Sequence, residues 1–278
     1  MLRQAMPGPI TSRHNPMVAR YRAAAAGTLA NAMLVDGLHL VSAALDAGAR
    51  IREAALAADR DDDALLSLAG RLQELKVSTV RASGPVMKAL SPLRSASPVV
   101  AIADRPLGAE PAVYRATPLA LLAAGVQDPG NVGAIVRVAE AAGATGVVAA
   151  GPCADPFGWK ALRGSMGSAL RLPVLIRGEL SVAIEEARVH GCRVVATVPR
   201  GGRSLFDADL TGAIAILLGG EGRGLEASLA DAADERVTIP MRPPVESLNV
   251  ATAAALMVYE AARQRRARST GQREAPLG

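Results

Sequence analysis

The stretch Leu217-Leu218-Gly219-Gly220-Glu221-Gly222-Arg223-Gly224-Leu225 runs a short apolar segment straight into four glycines around one carboxylate. An apolar run of this length, ended by glycine, reads as a buried strand delivering a turn. Such a turn lets backbone N–H groups approach a ligand closely, because little side chain stands in the way. The spacing is not G-x-G-x-x-G, and no Gly-Lys-Ser/Thr follows, so neither a dinucleotide fingerprint nor a P-loop is present. A plain tight turn is the competing reading. Outward from this point, further short apolar runs at 119–124, 146–150, 193–197 and 236–239 alternate with helical stretches at 132–142, 160–166, 181–190 and 225–232. A long helix is expected from 248 to about 266. Fully apolar strands separated by helices predict a doubly wound α/β domain with a parallel sheet.

Ligands of such folds bind at strand-to-helix turns on the carboxyl side of the sheet, and two more turns here are unusual. Gln127-Asp128-Pro129-Gly130-Asn131-Val132-Gly133 opens a helix that presents Asn131 and, one and a half turns on, Arg137. The plain alternative makes Asn131 an N-cap and Arg137 a surface arginine. Ile239-Pro240-Met241-Arg242-Pro243-Pro244-Val245-Glu246-Ser247-Leu248-Asn249-Val250 is a proline-stiffened loop, with Ser247 expected to cap the final helix. That helix is rich in small apolar residues and needs a covering surface, in its own domain or on another subunit.

The first half is a smaller α/β unit. Asn15-Pro16 starts a helix, a strand follows at 33–35, a helix at 36–47, an acidic turn at 59–63, a helix through 75 and a strand at 77–80. The stretch 91–111 is rich in Ser, Pro and Gly around a short apolar run at 99–103, so a linker is expected at 96–112, and 268–278 is expected to be a disordered tail. Of 278 residues half are hydrophobic, yet no run approaches the roughly 18–20 apolar residues of a membrane span. The first residues hold Pro, Arg, His and Asn where a signal peptide would place its apolar core, so a cytoplasmic location is expected. Two cysteines, Cys153 and Cys192, are too few for a disulfide scaffold or a Cys-rich zinc site, and no metal is expected. The net charge of +5 lies at the ends: residues 1–22 carry four arginines and no acid, and the tail from 260 carries five arginines against two glutamates. Basic ends on a near-neutral body suggest a polyanion, nucleic acid first. Solvated termini are the alternative, since 28 of the 31 basic residues are Arg. Scarce aromatics argue against base-stacking platforms of the RRM or OB type.

The three turns together, in this order, resemble the signature motifs of the SpoU (TrmH-like) branch of the SPOUT RNA methyltransferases. The resemblance spans about 113–266 and includes Lys160-Ala161-Leu162-Arg163-Gly164-Ser165-Met166-Gly167-Ser168 and Val198-Pro199-Arg200-Gly201-Gly202. More weakly, Ser12-Arg13-His14-Asn15-Pro16 and Leu34-Val35-Asp36-Gly37 resemble the family's L30e-like substrate-binding domain. The layout looks like that of the bacterial 23S ribosomal RNA 2′-O-ribose methyltransferases. The resemblance implies an L30e-like domain at 1–95, a methyltransferase domain at 113–267 tied in a trefoil knot, S-adenosylmethionine as cofactor, RNA as substrate and a homodimer. It implies catalytic-pocket roles for Asn131, Arg137, Glu221, Ser247 and Asn249. Thr197, Leu218, Gly219, Gly220, Gly222, Ile239, Met241 and Leu248 are the implied cofactor-binding residues. Arg13, His14, Arg20, Arg22 and Arg163 are the candidates for RNA contact. A transfer RNA target, or a non-catalytic RNA-binding or ribosome-assembly factor on the same fold, stands as the alternative. His14, His39 and His190 lie outside all three motifs; His190 reads as a helix-end residue and His39 as helix surface or core.

Overall fold

The structure, a computed structural model, describes residues 8–220 and 224–273. The chain divides into two compact units. In the first, α1 (Pro16–Ala25) starts where Asn15 accepts a hydrogen bond from the Met17 N–H at 3.0 Å and Pro16 fills the first turn. β1 (Ala32–Asp36), α2 (Leu38–Asp46), β2 (Ile51–Ala57), α3 (Asp63–Glu74), β3 (Ser78–Ala82), α4 (Gly84–Leu90) and β4 (Val99–Asp104) follow. The sheet order is β1-β4-β2-β3, with β4 antiparallel to both neighbours and β2 parallel to β3. Met17, Val18 and Tyr21 of α1 and Val86, Met87 and Leu90 of α4 bury against Leu34, Val100 and Ile102 of the sheet. The segment 96–112, read as a linker, therefore contains an inner strand. Ser97 and Pro98 lie just before β4 and Pro106 and Pro111 after it, and the all-apolar run Val99–Ala103 is buried between two partners.

The second unit begins with α5 (Glu110–Val113), β5 (Leu119–Ala124), α6 (Pro129–Ala142) and β6 (Gly146–Ala150). After α7 (Trp159–Ser165), which belongs to the first unit, come β7 (Val174–Arg177), α8 (Leu180–Val189), β8 (Arg193–Thr197), β9 (Arg203–Ser204), β10 (Ile214–Gly219), α9 (Ala227–Asp231), β11 (Glu235–Thr238) and α10 (Val250–Arg273). Seven strands form one parallel sheet in the order β7-β6-β5-β10-β8-β11-β9. β5, β6 and β10 are buried almost end to end, as apolar strands covered on both faces must be. The chain steps outward from β5 to β7, and β8 then lies on the far side of β10, so the direction of winding reverses beside β10. Gly219 pairs with Ala124 and Val237 with Thr197, which brings the carboxyl ends of β5, β10, β8 and β11 to one edge. β7 and β9 escape the sequence reading because each is short and at an edge of the sheet, where one-sided burial leaves a weak pattern.

Two further boundaries differ from expectation. Phe157–Leu170, including α7, belongs to the first unit although both flanks belong to the second. Trp159 packs on the first unit's core, and α7 lies against β1. The final helix does not stop near 266 but continues to Arg273, so the disordered tail expected from 268 is helical as far as that residue; 274–278 lie outside the described residues. Its inner face buries Val250, Ala254, Met257, Val258 and Ala261, and it packs on α6 and β10.

Candidate active site

At the carboxyl edge of the seven-stranded sheet, where the winding reverses, lies a cavity of about 620 Å³. Strand ends supply its floor. Thr197 ends β8, Leu218 and Gly219 end β10 with Gly220 just beyond, and Ile239 and Met241 follow β11. The loop before α10 adds Glu246, Ser247, Leu248 and Asn249. Seven of the eight residues proposed to hold a cofactor thus share one cavity with two of the pocket residues proposed for catalysis. Gly222 and Glu221 lie outside the described residues. Val198, Pro199 and Glu246 also line it and were not singled out. Their signal was membership of the same quoted motifs.

The glycines have a reason beyond ligand approach. A Cβ on Gly219 would stand 2.5 Å from the carbonyl carbon of Gly224, and one on Gly220 would stand 2.2 Å from the carbonyl oxygen of Gly125. No side chain fits there, so the turn after β10 is pressed against itself and against the turn after β5. The Thr197 hydroxyl is buried with no hydrogen-bond partner. A buried hydroxyl costs about 1–3 kcal/mol if it stays unpaired, so its position favours a ligand with a polar group to offer.

The first and third motifs meet through side chains. Asn249 Nδ2 donates to Asn131 Oδ1 at 3.1 Å across 118 residues of sequence. The Asn249 Oδ1 accepts from the N–H groups of Ala251 and Thr252 at 2.9 and 3.2 Å, so Asn249 caps α10. Ser247, expected in that role, lies two residues too early, because the proline loop turns at 243–244 and the helix begins only at Val250. Asn131 is likewise not the cap of α6. Asp128 is, accepting from the Asn131 N–H at 2.9 Å, with Pro129 in the first turn. Displacing Asn131 by three residues into the helix turns its side chain toward Asn249. Arg137 stands exposed further along α6, does not line the cavity, and makes no hydrogen bond or ion pair among the described residues.

Cys153 supports the first motif from below. Its sulfur accepts from the Val126 N–H at 3.2 Å and reaches the carbonyl of Ala123 at 3.1 Å. Burial raises its thiol pKa and pushes that of Cys192 up to about 11, so neither is a ready thiolate nucleophile. The histidines serve elsewhere. His190 follows α8, bonds Glu110 at 2.8 Å and stacks on Tyr114, while His39 meets the Met166 carbonyl at 3.2 Å. A shallower depression at the amino edge of the sheet is lined by Arg193, Arg203 and Arg236, but these pair with Glu235 and Asp231. The candidates for RNA contact, Arg13, His14, Arg20, Arg22 and Arg163, are all exposed, and Arg20 is held in a two-pronged pair with Glu53 at 2.9 and 2.7 Å. Among the described residues no group of three or more His, Cys, Asp or Glu could hold a metal ion, and no helix is long and apolar enough to cross a membrane.

Comparison with known proteins places the chain in a family. Residues 118–259 match the model of the SpoU rRNA Methylase family. An uncharacterised tRNA/rRNA methyltransferase of Synechocystis sp. is 34% identical over 94% of this chain and 96% of its own length. The 23S rRNA (guanosine(2553)-2′-O)-methyltransferase of Bacillus subtilis is 31% identical over 84% of this chain and 89% of its own. Among solved structures, the SpoU methyltransferase AviRb from Streptomyces viridochromogenes in complex with AdoMet superposes with a TM-score of 0.81, at 28% identity over 90% of this chain and 98% of that one. An AdoMet-bound rRNA methyltransferase from Sinorhizobium meliloti gives 0.82, at 28% identity over 92% and 97%.

Proposed function

This chain belongs to the SpoU rRNA methylase family, and from that premise we propose that it transfers a methyl group from S-adenosylmethionine to a ribose 2′-hydroxyl of 23S ribosomal RNA. The observation that carries the reading is the Asn249–Asn131 bond at a cavity built from three strand ends. It joins the loop that would hold the cofactor to the helix that bears Arg137. When bound, the cofactor supplies an electrophilic methyl on sulfur. Backbone at Gly219, Gly220, Ile239 and Leu248, together with the Thr197 hydroxyl, would hold its adenosine.

Orientation of the two reactants dominates such a transfer, worth on the order of 7–11 kcal/mol against about 10²- to 10⁴-fold for a general base. Arg137 fits the orienting role. A guanidinium is a fixed cation with a planar fork of donors, and this one is exposed and uncommitted among the described residues. It clamps the phosphate next to the target ribose and stabilises the alkoxide as the 2′-hydroxyl proton passes to solvent. Asn131 and Asn249 set the position of α6 relative to the cavity, and Ser247 offers a hydroxyl to the ribose. Glu221 completes the set.

The C-terminal segment is threaded as a trefoil knot. The inserted position of β10 between β5 and β8, and the tight seat of Gly220 on Gly125, favour that path. Two copies form the working enzyme, in the cytoplasm. The exposed Leu256 and Tyr259, one turn apart on α10, are the face to be covered. The test is tritium transfer from labelled cofactor into 23S fragments and transfer RNA, with calorimetry on the same preparations. Arg137→Ala leaves cofactor affinity nearly unchanged while transfer falls at least about 10²-fold, and Arg137→Lys recovers little, because one ammonium cannot replace a bidentate fork. Parental transfer rates in Arg137→Ala would remove it from the mechanism, and label in transfer RNA alone would replace the substrate.

A further inference from the structure

Of the described residues that line the cavity, Glu246 alone is charged. The other described residues of the wall are neutral, from Thr197 and Leu218 to Ile239 and Leu248, which suits a nucleoside. Glu246 does not stand by itself. Its Oε1 lies 3.4 Å from Nη2 of Arg200, on the loop after β8 whose Val198 and Pro199 also line the cavity. One positive and one negative group thus sit side by side at the rim, contributed by the two loops that flank it. Their side chains are 75% and 81% exposed. An ion pair this wet is held weakly, and either member exchanges partner at small cost.

Resting on the cofactor reading above, we infer that Arg200 and Glu246 form the subsite for the zwitterionic amino-acid end of S-adenosylmethionine. That end carries an α-carboxylate and an α-ammonium on one carbon, a minus and a plus at the spacing of a single ion pair. Arg200 takes the carboxylate, for which its planar fork is shaped, and Glu246 takes the ammonium. The exchange converts one internal pair into two intermolecular ones and leaves neither charge of the amino-acid end without a partner, so that end avoids the penalty a lone charge would incur. The neutral wall and the charged rim together read the two halves of one molecule.

The experiment is calorimetry on the full chain with two ligands, S-adenosylhomocysteine and 5′-methylthioadenosine, which share the thioadenosine half and differ in the amino-acid end. Glu246→Gln and Arg200→Gln each weaken S-adenosylhomocysteine by about 1.5- to 5-fold, the range for an exposed charge pair, and leave 5′-methylthioadenosine unchanged. In the parental protein, added salt weakens the first ligand and not the second. Unchanged S-adenosylhomocysteine binding in both variants overturns the subsite. So does an equal loss for both ligands, which would make the pair a latch between loops. If the parental protein binds 5′-methylthioadenosine but the variants and salt leave the ligands indistinguishable, the cofactor reading stands and this inference fails; if it binds neither, both fail.

Discussion

Asn249 performs two tasks with one side chain, and the two can be separated. Its oxygen caps α10 and its nitrogen reaches Asn131. Losing a cap costs about 0.5–2 kcal/mol. Asn249→Ala should therefore lower both stability and methyl transfer. Asn249→Ser keeps a good capping oxygen but is too short to span to Asn131. It should unfold within about 0.5 kcal/mol of the parent on denaturant titration while methyl transfer drops. If Asn249→Ser transfers methyl at the parental rate, the bond to Asn131 matters only for folding.

At the scale of elements, the turn after β10 shows why glycine recurs there. A substitution at Gly220 meets the Gly125 carbonyl before it meets any ligand. Gly220→Ala should thus cost about 1–3 kcal/mol of stability, as overpacking does, and the loss should appear in thermal melts without cofactor. Gly151 gives the contrast. It has φ +68 but open space around the missing Cβ, so Gly151→Ala should cost only the backbone strain, about 1 kcal/mol. Equal and negligible losses at both positions would mean that the turn after β10 can move off Gly125, and would return its glycines to a role in ligand approach alone.

For the whole molecule, the excursion of Phe157–Leu170 decides what a truncation does. Its Ala161, Leu162, Ser165 and Ala169 are buried in a unit otherwise made of residues up to Pro106. Cutting after residue 95 removes β1 and α1, strips β4 of both its neighbours and uncovers α7. A chain starting at 96 should melt well below the parent or precipitate. Replacing 157–170 with a short Gly/Ser link in a chain starting at 107 should recover solubility. Equal melting of the two truncated chains would show that the excursion does not depend on the first unit. Light scattering of the full chain should read near twice 28.5 kDa, and Leu256→Glu with Tyr259→Glu should halve it. A parental mass in that double variant would place the dimer contact elsewhere.

Much of the fold was written locally. Fully apolar strands such as 119–124 and 146–150 can be stable only inside a parallel sheet, and Asn15-Pro16 names its own helix start, because burial pattern and cap chemistry act over a few residues. The edge strands β7 and β9 were not legible, since their burial is one-sided and short. β4 was hidden because Ser and Pro before it mask a strand whose identity depends on partners 43 to 72 residues away. The site divides in the same way. Motif order told which turns converge, because strand ends of one sheet edge must meet. Which residue caps which helix, and that Asn249 meets Asn131 while Arg200 meets Glu246, was decided only by tertiary structure. Those choices depend on how far each loop runs before its helix begins, and on which turn it is pressed against. No local propensity encodes such distances; only the closed packing of β10 between β5 and β8 does.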